Sequence, residues 1–260
     1  MSSLKSKLQS KTLTIGSWLS LGSTAVCEMM AKSGFDWLVV DLEHAPTNPE
    51  TMLGMIRVIE LSGCTPLVRV GANDPLLIKH ALDAGAHGVI IPQVKTAEEA
   101  RRAVSASYYP PRGDRGVGLF RAQGYGSSFE AYQERAANET VVIVQIEHRD
   151  GVENLPEILA VDGVDGFMVG PYDLSGSYGK PGVFDAPEVS AAMDEVKGHM
   201  TASDKSGGIH VVHADHDLLA TRIAEGYTFI AYGVDMIFLN EKITAEGNHV
   251  REQLGKGDMA

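Results

Sequence analysis

The chain has 260 residues, a formal net charge of −12 and 44% hydrophobic residues. This acidic balance disfavours binding to nucleic acid or to an anionic membrane surface, because both require basic patches. The sequence has neither an apolar run of about 18 residues nor the continuous apolar segment of a signal peptide at its basic N-terminus. Its two cysteines, Cys27 and Cys64, form no CxxC pair, which predicts a reduced, cytoplasmic protein.

Eight short apolar segments are predicted to be strands. In chain order they lie at residues 12–18, 37–41, 66–70, 88–92, 141–147, 166–170, 208–213 and 228–232. Helical patterns lie between them, and several begin at an Asn, Asp, Ser or Thr and end at a glycine. Because uniformly apolar strands that alternate with helices form parallel sheets, the pattern predicts an α/β fold, a closed (β/α)8 TIM barrel. An open doubly wound sheet is disfavoured, since no GxGxxG motif follows the first strand.

Residues 1–260 are predicted to form a single TIM-barrel domain, with residues 1–10 and 254–260 as flexible ends. Barrels of about 250 residues are commonly one domain, and the sequence shows no interdomain linker. One irregular segment, residues 108–132, interrupts the alternation between the fourth helix and the fifth strand. Long loops inside compact domains are more often functional than idle.

Polar side chains stand at the carboxyl ends of the predicted strands, where TIM barrels build their active sites. They are Trp18, Asp41, Glu43, His44, Arg69, Gln93, Gln145, Glu147, Asp173 and His213. Within the fifth strand, the alternation of side chains places Val141, Ile143, Gln145 and Glu147 inside the barrel. The same alternation places Val144 and Ile146 against the helices.

Glu147 and Asp173 end adjacent strands and can converge on one point. Divalent cations such as Mg²⁺ and Mn²⁺ favour oxygen ligands, so the pair predicts a metal site; the alternative is two solvated loop acids. Arg69 ends an apolar strand, and we expect it to face a carboxylate, a ligand oxyanion or the site, because an unpaired buried arginine is costly. His44 is a candidate base that Asp83 could orient.

Two other groups of residues are weaker candidates for a functional site: a set of three histidines as metal ligands and one lysine as a Schiff base. The spacing of His210, His213 and His216 fits no familiar zinc template. Lys95 follows the fourth strand and could form a Schiff base, but it directly precedes Thr96, the expected cap of the next helix. A solvated surface lysine is therefore favoured.

Five segments resemble the HpcH/HpaI aldolase family. They are FDWLVVDLEHAPTN, IPQVKTAEEARRAV, YPPRGDRGVG, VQIEHRDGVENLPEIL and VDGFMVGPYDLSGSYGKPG, and they occur in the same order as in the family. The resemblance extends over residues 14–234. Members of this family are metal-dependent (class II) pyruvate aldolases that act on 4-hydroxy-2-oxo acids.

The resemblance implies roles for individual residues. Glu147 and Asp173 would bind a divalent cation, Mg²⁺, Mn²⁺ or Co²⁺, and no organic cofactor is implied. Arg69 would hold the keto oxygen of pyruvate, while His44, paired with Asp83, would be the catalytic histidine. The substrate would be contacted by Trp18, Gln145, Tyr172, Arg69 and Asp173. Asp41 would hold metal-bound water. The family often has alanine at the position of Tyr172, so the aldehyde-side specificity departs from the family pattern.

The implied activity is that of a carbon–carbon lyase. It would cleave a 4-hydroxy-2-oxo acid, such as 4-hydroxy-2-oxoheptanedioate or a 2-dehydro-3-deoxy sugar acid, to pyruvate and an aldehyde. The reverse aldol addition would pass through a metal-bound pyruvate enolate. The resemblance also implies a C-terminal helix that is exchanged between the subunits of a homohexamer, a trimer of dimers. Small molecules would be its substrates, with no nucleic acid or membrane partner.

Other functions on the same barrel stay open. Oxaloacetate decarboxylases and lyases of the citrate-lyase-β or malyl-CoA type are alternatives, although the latter usually carry a basic coenzyme groove that this acidic chain does not show. A phosphate-sugar isomerase or synthase would need a glycine-rich phosphate site after the seventh and eighth strands. The segment AYGVDM offers one glycine there. A non-catalytic ligand-binding barrel is the remaining alternative.

Overall fold

The computed structural model describes residues 3–255 and contains a closed barrel of eight parallel strands. The strands are β1 (Thr14–Leu19), β2 (Trp37–Asp41), β3 (Thr65–Arg69), β4 (Gly88–Ile91), β5 (Val141–Ile146), β6 (Gly166–Val169), β7 (Ser206–Val211) and β8 (Phe229–Val234). Each strand pairs with the next, and β8 pairs with β1. The predicted fold is confirmed, and no strand end differs from its predicted position by more than two residues.

Helices surround the barrel and return the chain from the end of one strand to the start of the next. They are α1 (Leu4–Gln9), α2 (Thr24–Ala31), α3 (Pro49–Leu61), α4 (Pro75–Ala84), α5 (Ala97–Ser107), α6 (Phe129–Glu139), α7 (Arg149–Glu153), α8 (Leu155–Leu159), α9 (Pro171–Ser177), α10 (Pro187–Ala202), α11 (His216–Ala224) and α12 (Asp235–Gln253). Side chains cap free backbone N–H groups at the starts of several helices: Asp74 accepts from two N–H groups of α4, and Thr96 forms a capping box with Glu99. Within residues 3–255, no helix has both the length and the hydropathy that a membrane span requires.

Two apolar layers make up the core, as the alternation in β5 predicts. Val141 and Ile143 belong to the cluster inside the barrel, whereas Val144 and Ile146 belong to the layer between the barrel and the helices. Trp37 fills the interior near the strand starts and stacks on Phe229, with ring centres 4.2 Å apart. The outcome is a barrel whose interior is packed near the strand starts, with a cavity near the strand ends.

Residues 4–9 form α1, whereas the sequence predicts a flexible end over residues 1–10. Leu8 is completely buried in the interior cluster. Lys5 Nζ lies 2.7 Å from Asp165 Oδ1 and donates to the carbonyl oxygen of Thr140 at 2.7 Å. α1 therefore closes the barrel at the strand starts; the sequence does not reveal this, because so short a helix is stable only through tertiary packing. Of the predicted C-terminal flexible end, residues 256–260 lie outside the described residues.

The irregular segment lies at the opposite end of the barrel from the strand ends. It follows α5, which returns the chain to the start of β5, and it ends where α6 begins at Phe129. Asp83, in the last turn of α4, lies beside it: Arg115 Nη2 donates to Asp83 Oδ1 at 2.6 Å, and Gln123 Nε2 donates to the same oxygen at 3.1 Å. The topology therefore separates Asp83 from the residues at the strand ends.

Leu8→Ala should lower the free energy of unfolding by about 2–5 kcal/mol, because a fully buried leucine is replaced by a cavity. Urea denaturation followed by circular dichroism measures this change. Leu61→Ala, at a side chain that is 84% exposed, is the matched control and should change the free energy by less than about 0.5 kcal/mol. Equal, small effects of the two substitutions would show that α1 does not pack into the barrel.

Candidate functional site

A cavity of about 310 Å³ opens at the carboxyl ends of the strands. Eight of the residues singled out in the sequence lie on its wall: Trp18, Asp41, His44, Arg69, Gln145, Tyr172, Asp173 and His210. Glu147 adjoins the cavity rather than lining it, since Gln145 Nε2 donates to Glu147 Oε2. The barrel thus gathers side chains from several strand ends at one place.

A buried ion pair between Asp41 and Arg69 organises one side of the cavity. Arg69 Nε and Nη2 donate to the two carboxylate oxygens of Asp41 at 2.9 and 2.7 Å. Burial opposes ionisation of Asp41, but Arg69 and the backbone N–H groups of Glu43 and His44 outweigh it and hold the pKa of Asp41 below its ordinary value. The guanidinium also lies 4.3 Å from the centre of the Trp18 ring. Arg69 is therefore fixed in position and remains on the cavity wall.

Glu43 and His44 follow β2 at the rim. Arg69 Nη1 lies 3.2 Å from Glu43 Oε2, without the alignment of a hydrogen bond. Burial raises the pKa of Glu43, and the charges of Asp41 and Asp173 raise it further. The charges of Arg69 and His44 act in the opposite direction. His44 Nε2 lies 3.9 Å from Glu43 Oε2, and the His44 side chain is 61% exposed. The imidazole can therefore exchange protons with solvent.

Glu147 is the most deeply buried carboxylate near the cavity. Burial raises its pKa to about 7, and the charges of Glu43 and Asp173 contribute in the same direction. Its Oε1 accepts a hydrogen bond from the backbone N–H of Gln93 at 2.7 Å. Gln93 has a φ of 55°, a left-handed conformation that is uncommon outside glycine. The backbone after β4 is thus held in a strained conformation that directs an N–H at the carboxylate.

Gly170 leaves room for the side chains of Glu147 and Gln145. A Cβ atom at Gly170 would lie 2.7 Å from Glu147 Oε2 and 3.1 Å from Gln145 Nε2, so no other residue fits there without a shift. α9 begins directly after it, and Asp173 stands in the first turn of that helix. The charge of Asp173 raises the pKa of both Glu147 and Glu43.

Several polar atoms at this site have no partner within the described chain. Trp18 Nε1, Gln145 Oε1 and Glu43 Oε2 are buried without a hydrogen bond. Buried polar groups are normally satisfied, so such a cluster indicates that water or a ligand completes it.

The donor atoms fit a divalent cation of the magnesium type. The negative charges of Glu43 and Asp173 both act on Glu147, while the nearby guanidinium of Arg69 is already engaged by Asp41, which leaves surplus negative charge. Among residues 3–255 no three metal-ligating side chains lie close enough to form a complete site. A cation here would be held by two carboxylates, Glu147 and Asp173, and would take oxygen atoms of substrate and water for the rest.

The structure does not bring all of the candidates together. Asp83 lies at the other end of the barrel and cannot meet His44 of the same chain. The three histidines diverge: His210 packs on Trp18, His213 Nδ1 contacts Glu241 Oε1 at 2.8 Å, and His216 stacks on Tyr232. Lys95 lies outside the cavity wall, and the Thr96 cap that follows it is present as predicted.

Features that the sequence analysis missed are mostly backbone features. The strain at Gln93 leaves no signal in the sequence, and the need for glycine at position 170 depends on side chains from another strand. The sequence analysis named His210 only as part of a weak metal-site candidate, but its place on the cavity wall was predictable. The apolar residues Ile209 and Val211 on either side face the helices, so alternation turns His210 toward the barrel interior.

Comparison with known proteins points to one family. Residues 14–241 match the family model described as HpcH/HpaI aldolase/citrate lyase. A 4-hydroxy-2-oxo-heptane-1,7-dioate aldolase from Escherichia coli is 42% identical over 240 residues, which cover 91% of this chain and 90% of that protein. A HpcH/HpaI aldolase/citrate lyase family protein from Burkholderia cenocepacia has a solved structure with a TM-score of 0.90 at 34% identity, covering 95% of this chain and 98% of the other. For the HpcH/HpaI aldolase from Desulfitobacterium hafniense the TM-score is 0.87 at 28% identity, with 97% and 98% covered.

The pKa of Glu147 predicts a pH dependence of stability for the metal-free protein. The Glu147 carboxyl group loses its proton near pH 4.5 in the unfolded chain and near pH 7 in the folded chain. Its contribution to the free energy of unfolding is therefore full below pH 4.5 and is lost as the pH rises to 7. With a chelator present, the wild type should lose on the order of 3 kcal/mol relative to Glu147→Gln over this range. Urea denaturation at pH 4.5, 6 and 8 measures the difference.

Glu157→Gln, at an exposed carboxylate on α8, is the matched control and should follow the wild-type profile. Parallel profiles for Glu147→Gln and the wild type would contradict the raised pKa.

Proposed function

Because the chain belongs to the HpcH/HpaI aldolase/citrate lyase family, we propose that it is a divalent-metal-dependent aldolase that cleaves 4-hydroxy-2-oxo acids to pyruvate and an aldehyde. The same site would catalyse the reverse addition of pyruvate to the aldehyde. The observation that carries the proposal is the buried carboxylate of Glu147, on which the charges of Glu43, Asp173 and Arg69 act, beside the cavity at the strand ends. The name of the Escherichia coli relative supports the reaction class.

Glu147 and Asp173 would hold the cation, Mg²⁺ or Mn²⁺. Such a cation, when bound, supplies a Lewis acid for the carboxylate and keto oxygens of the substrate. The surplus negative charge and the all-oxygen donor set support this assignment. Among the described residues no lysine lines the cavity, which favours this chemistry over a Schiff base.

Arg69 would stabilise the charge that develops on the keto oxygen. The charge of an enolate resides largely on that oxygen, whereas the ketone is neutral, so a fixed guanidinium stabilises the enolate more than the ketone. Asp41 grips two of the three guanidinium nitrogens, which keeps Arg69 in place before the substrate binds. Gln145, whose Oε1 has no partner, would contribute a further contact to the bound substrate or water.

His44 would carry the proton to and from the hydroxyl group at C4. Its exposure at the rim suits a group that exchanges protons through water. Asp83 lies at the far end of the same barrel, so it can orient His44 only if it comes from a second subunit. The pairing that the sequence implies therefore depends on assembly.

Exposed apolar residues on α12 support such an assembly. Asp235 is the only buried residue of α12, and no residue of α11 is buried. One face of α12 exposes the apolar side chains Met236, Leu239, Ile243 and Val250. A groove of about 450 Å³ lies between α2 and α12, lined by side chains that include Met29, Tyr232 and Phe238. We propose a homohexamer in which α12 is exchanged between subunits.

The two cysteines are compatible with a reducing compartment. Cys27 and Cys64 are unpaired and buried. Burial raises the pKa of each thiol to about 12, which keeps both protonated and unreactive. We therefore place the protein in the cytoplasm.

The activity can be tested without knowledge of the aldehyde. The protein with Mg²⁺ or Mn²⁺ should exchange the methyl protons of pyruvate with deuterated water, and a chelator should stop the exchange. Arg69→Ala should slow it by about 10²-fold or more, because a fixed positive charge at the enolate oxygen is lost. Decay of the methyl signal in proton NMR spectra measures the rate.

Arg101→Ala, at an exposed arginine on α5, is the matched control and should keep the wild-type rate. Glu147→Gln and Asp173→Asn should abolish both metal binding and exchange. A protein that binds the cation but shows no metal-dependent exchange would refute the aldolase proposal.

Assembly through α12 can be tested by light scattering coupled to gel filtration. Ile243→Glu should lower the molar mass of the particle, because it places a charge in the exposed apolar face. Ala245→Glu, at an exposed position on the other side of the same helix, should leave the mass unchanged. A monomeric wild type, or an unchanged mass for Ile243→Glu, would contradict the proposed exchange.

A further inference from the structure

Asp83 is a carboxylate at an unfavourable position of the helix that carries it. It stands in the last turn of α4, where the negative end of the helix dipole disfavours a further negative charge. Its side chain is 14% exposed and lies on the wall of a groove of about 430 Å³, which α3, α4 and Phe120 enclose. The stability of α4 therefore does not explain this carboxylate, and its charge needs a partner.

Arg115 is that partner, and its side chain has no exposed surface. Nη2 donates to Asp83 Oδ1 at 2.6 Å and to the hydroxyl oxygen of Tyr132 at 2.9 Å. The guanidinium lies 4.7 Å from the ring centre of Tyr109 and 5.4 Å from that of Tyr132, so both rings attract the cation. Its Nε and Nη1 are buried without a hydrogen bond. Burial of this charge is costly, and Asp83 is the carboxylate that offsets the cost.

Gln123 holds the same oxygen atom of Asp83 from the irregular segment. This fully buried side chain donates through Nε2 to Asp83 Oδ1 at 3.1 Å and to the hydroxyl oxygen of Tyr109 at 2.9 Å. Oδ2 differs, because no residue between positions 3 and 255 donates a hydrogen bond to it. The network therefore fixes the carboxylate through one oxygen and leaves the other able to accept from outside the chain.

We propose that Arg115 is a positioning residue, which holds Asp83 so that Oδ2 accepts a hydrogen bond from His44 of a neighbouring subunit. A fixed carboxylate orients an imidazole for proton transfer, whereas a carboxylate that rotates does so for part of the time. This inference rests on the proposed aldolase function, in which Asp83 can reach His44 only across a subunit boundary. It assigns the control of that orientation to a guanidinium outside the cavity wall.

Cleavage and enolisation can be measured separately in this enzyme. Cleavage requires proton transfer at the C4 hydroxyl group, whereas exchange of the methyl protons of pyruvate does not involve that group. With the Mg²⁺-loaded enzyme, pyruvate formation from 4-hydroxy-2-oxoheptanedioate and from 4-hydroxy-2-oxopentanoate gives kcat for cleavage. Proton NMR gives the rate of exchange in the same preparations, and light scattering gives the molar mass.

Arg115→Met should lower kcat for cleavage by about tenfold or more, which is part of the contribution of a positioned proton-transfer group. The rate of exchange and the molar mass should stay at the wild-type values. Arg115→Lys keeps the positive charge and should lower kcat less. In an Asp83→Asn background, Arg115→Met should change kcat by less than about twofold, because no carboxylate is left to position.

Arg135→Met is the matched control. Arg135 is exposed on α6 and lies 5.4 Å from the centre of the same Tyr132 ring, but it is not one of the donors to Asp83. This variant should keep the wild-type rates of cleavage and exchange.

Three results would overturn the inference: equal losses of cleavage and exchange in Arg115→Met, a lower molar mass of that variant, or an undiminished effect in the Asp83→Asn background. If Arg115→Met does not fold, Arg115→Lys decides, and an equal effect in both backgrounds overturns the inference. A wild type that cleaves either compound, with Asp83→Asn equally active, refutes the positioning role alone. A wild type that cleaves neither compound refutes the aldolase function and this inference with it.

Discussion

The burial of negative charge at the mouth of an apolar barrel is the constraint on which the site depends. Glu147 stands at the end of a strand whose residues are buried, and within residues 3–255 its hydrogen-bond donors are Gln93 and Gln145. Neighbouring carboxylates raise the cost of its ionisation further. The local structure is arranged around this group: a strained backbone at Gln93 supplies an N–H, and a glycine at position 170 leaves room for its oxygen atoms. Such an arrangement suits a carboxylate whose charge is compensated by a bound cation.

Arg69 provides only a small part of that compensation: its charge lowers the pKa of Glu147, but Asp41 already binds it through two hydrogen bonds. The guanidinium of Arg69 is therefore better described as a preorganised positive group than as a neutralising partner for Glu147. Its rigidity has a chemical use. Because the guanidinium of Arg69 needs no rearrangement, it can stabilise negative charge as soon as that charge develops on the substrate.

The two ends of the barrel have different tasks. At the strand starts, α1 and the buried pair of Lys5 and Asp165 close the interior, and these contacts serve stability. At the strand ends, unpartnered polar atoms and a cavity leave room for ligands. Asp83 and the irregular segment before α6 lie at the first end, so any role for them in the reaction requires a neighbouring subunit. The exposed apolar face of α12 points to the same requirement.

The sequence by itself determined the barrel and much of the site. Apolar runs mark the strands, because both faces of a parallel strand are buried, and alternation in β5 was enough to direct Glu147 inward. The resemblance to a family supplied the roles of Glu147, Asp173, Arg69 and His44. Only the tertiary structure decided which groups meet: that Asp41 engages Arg69, that Asp83 lies at the far end, that α1 is part of the core, and that His210 packs on Trp18. These outcomes depend on contacts between residues that are distant in the chain, and local patterns carry no record of such contacts.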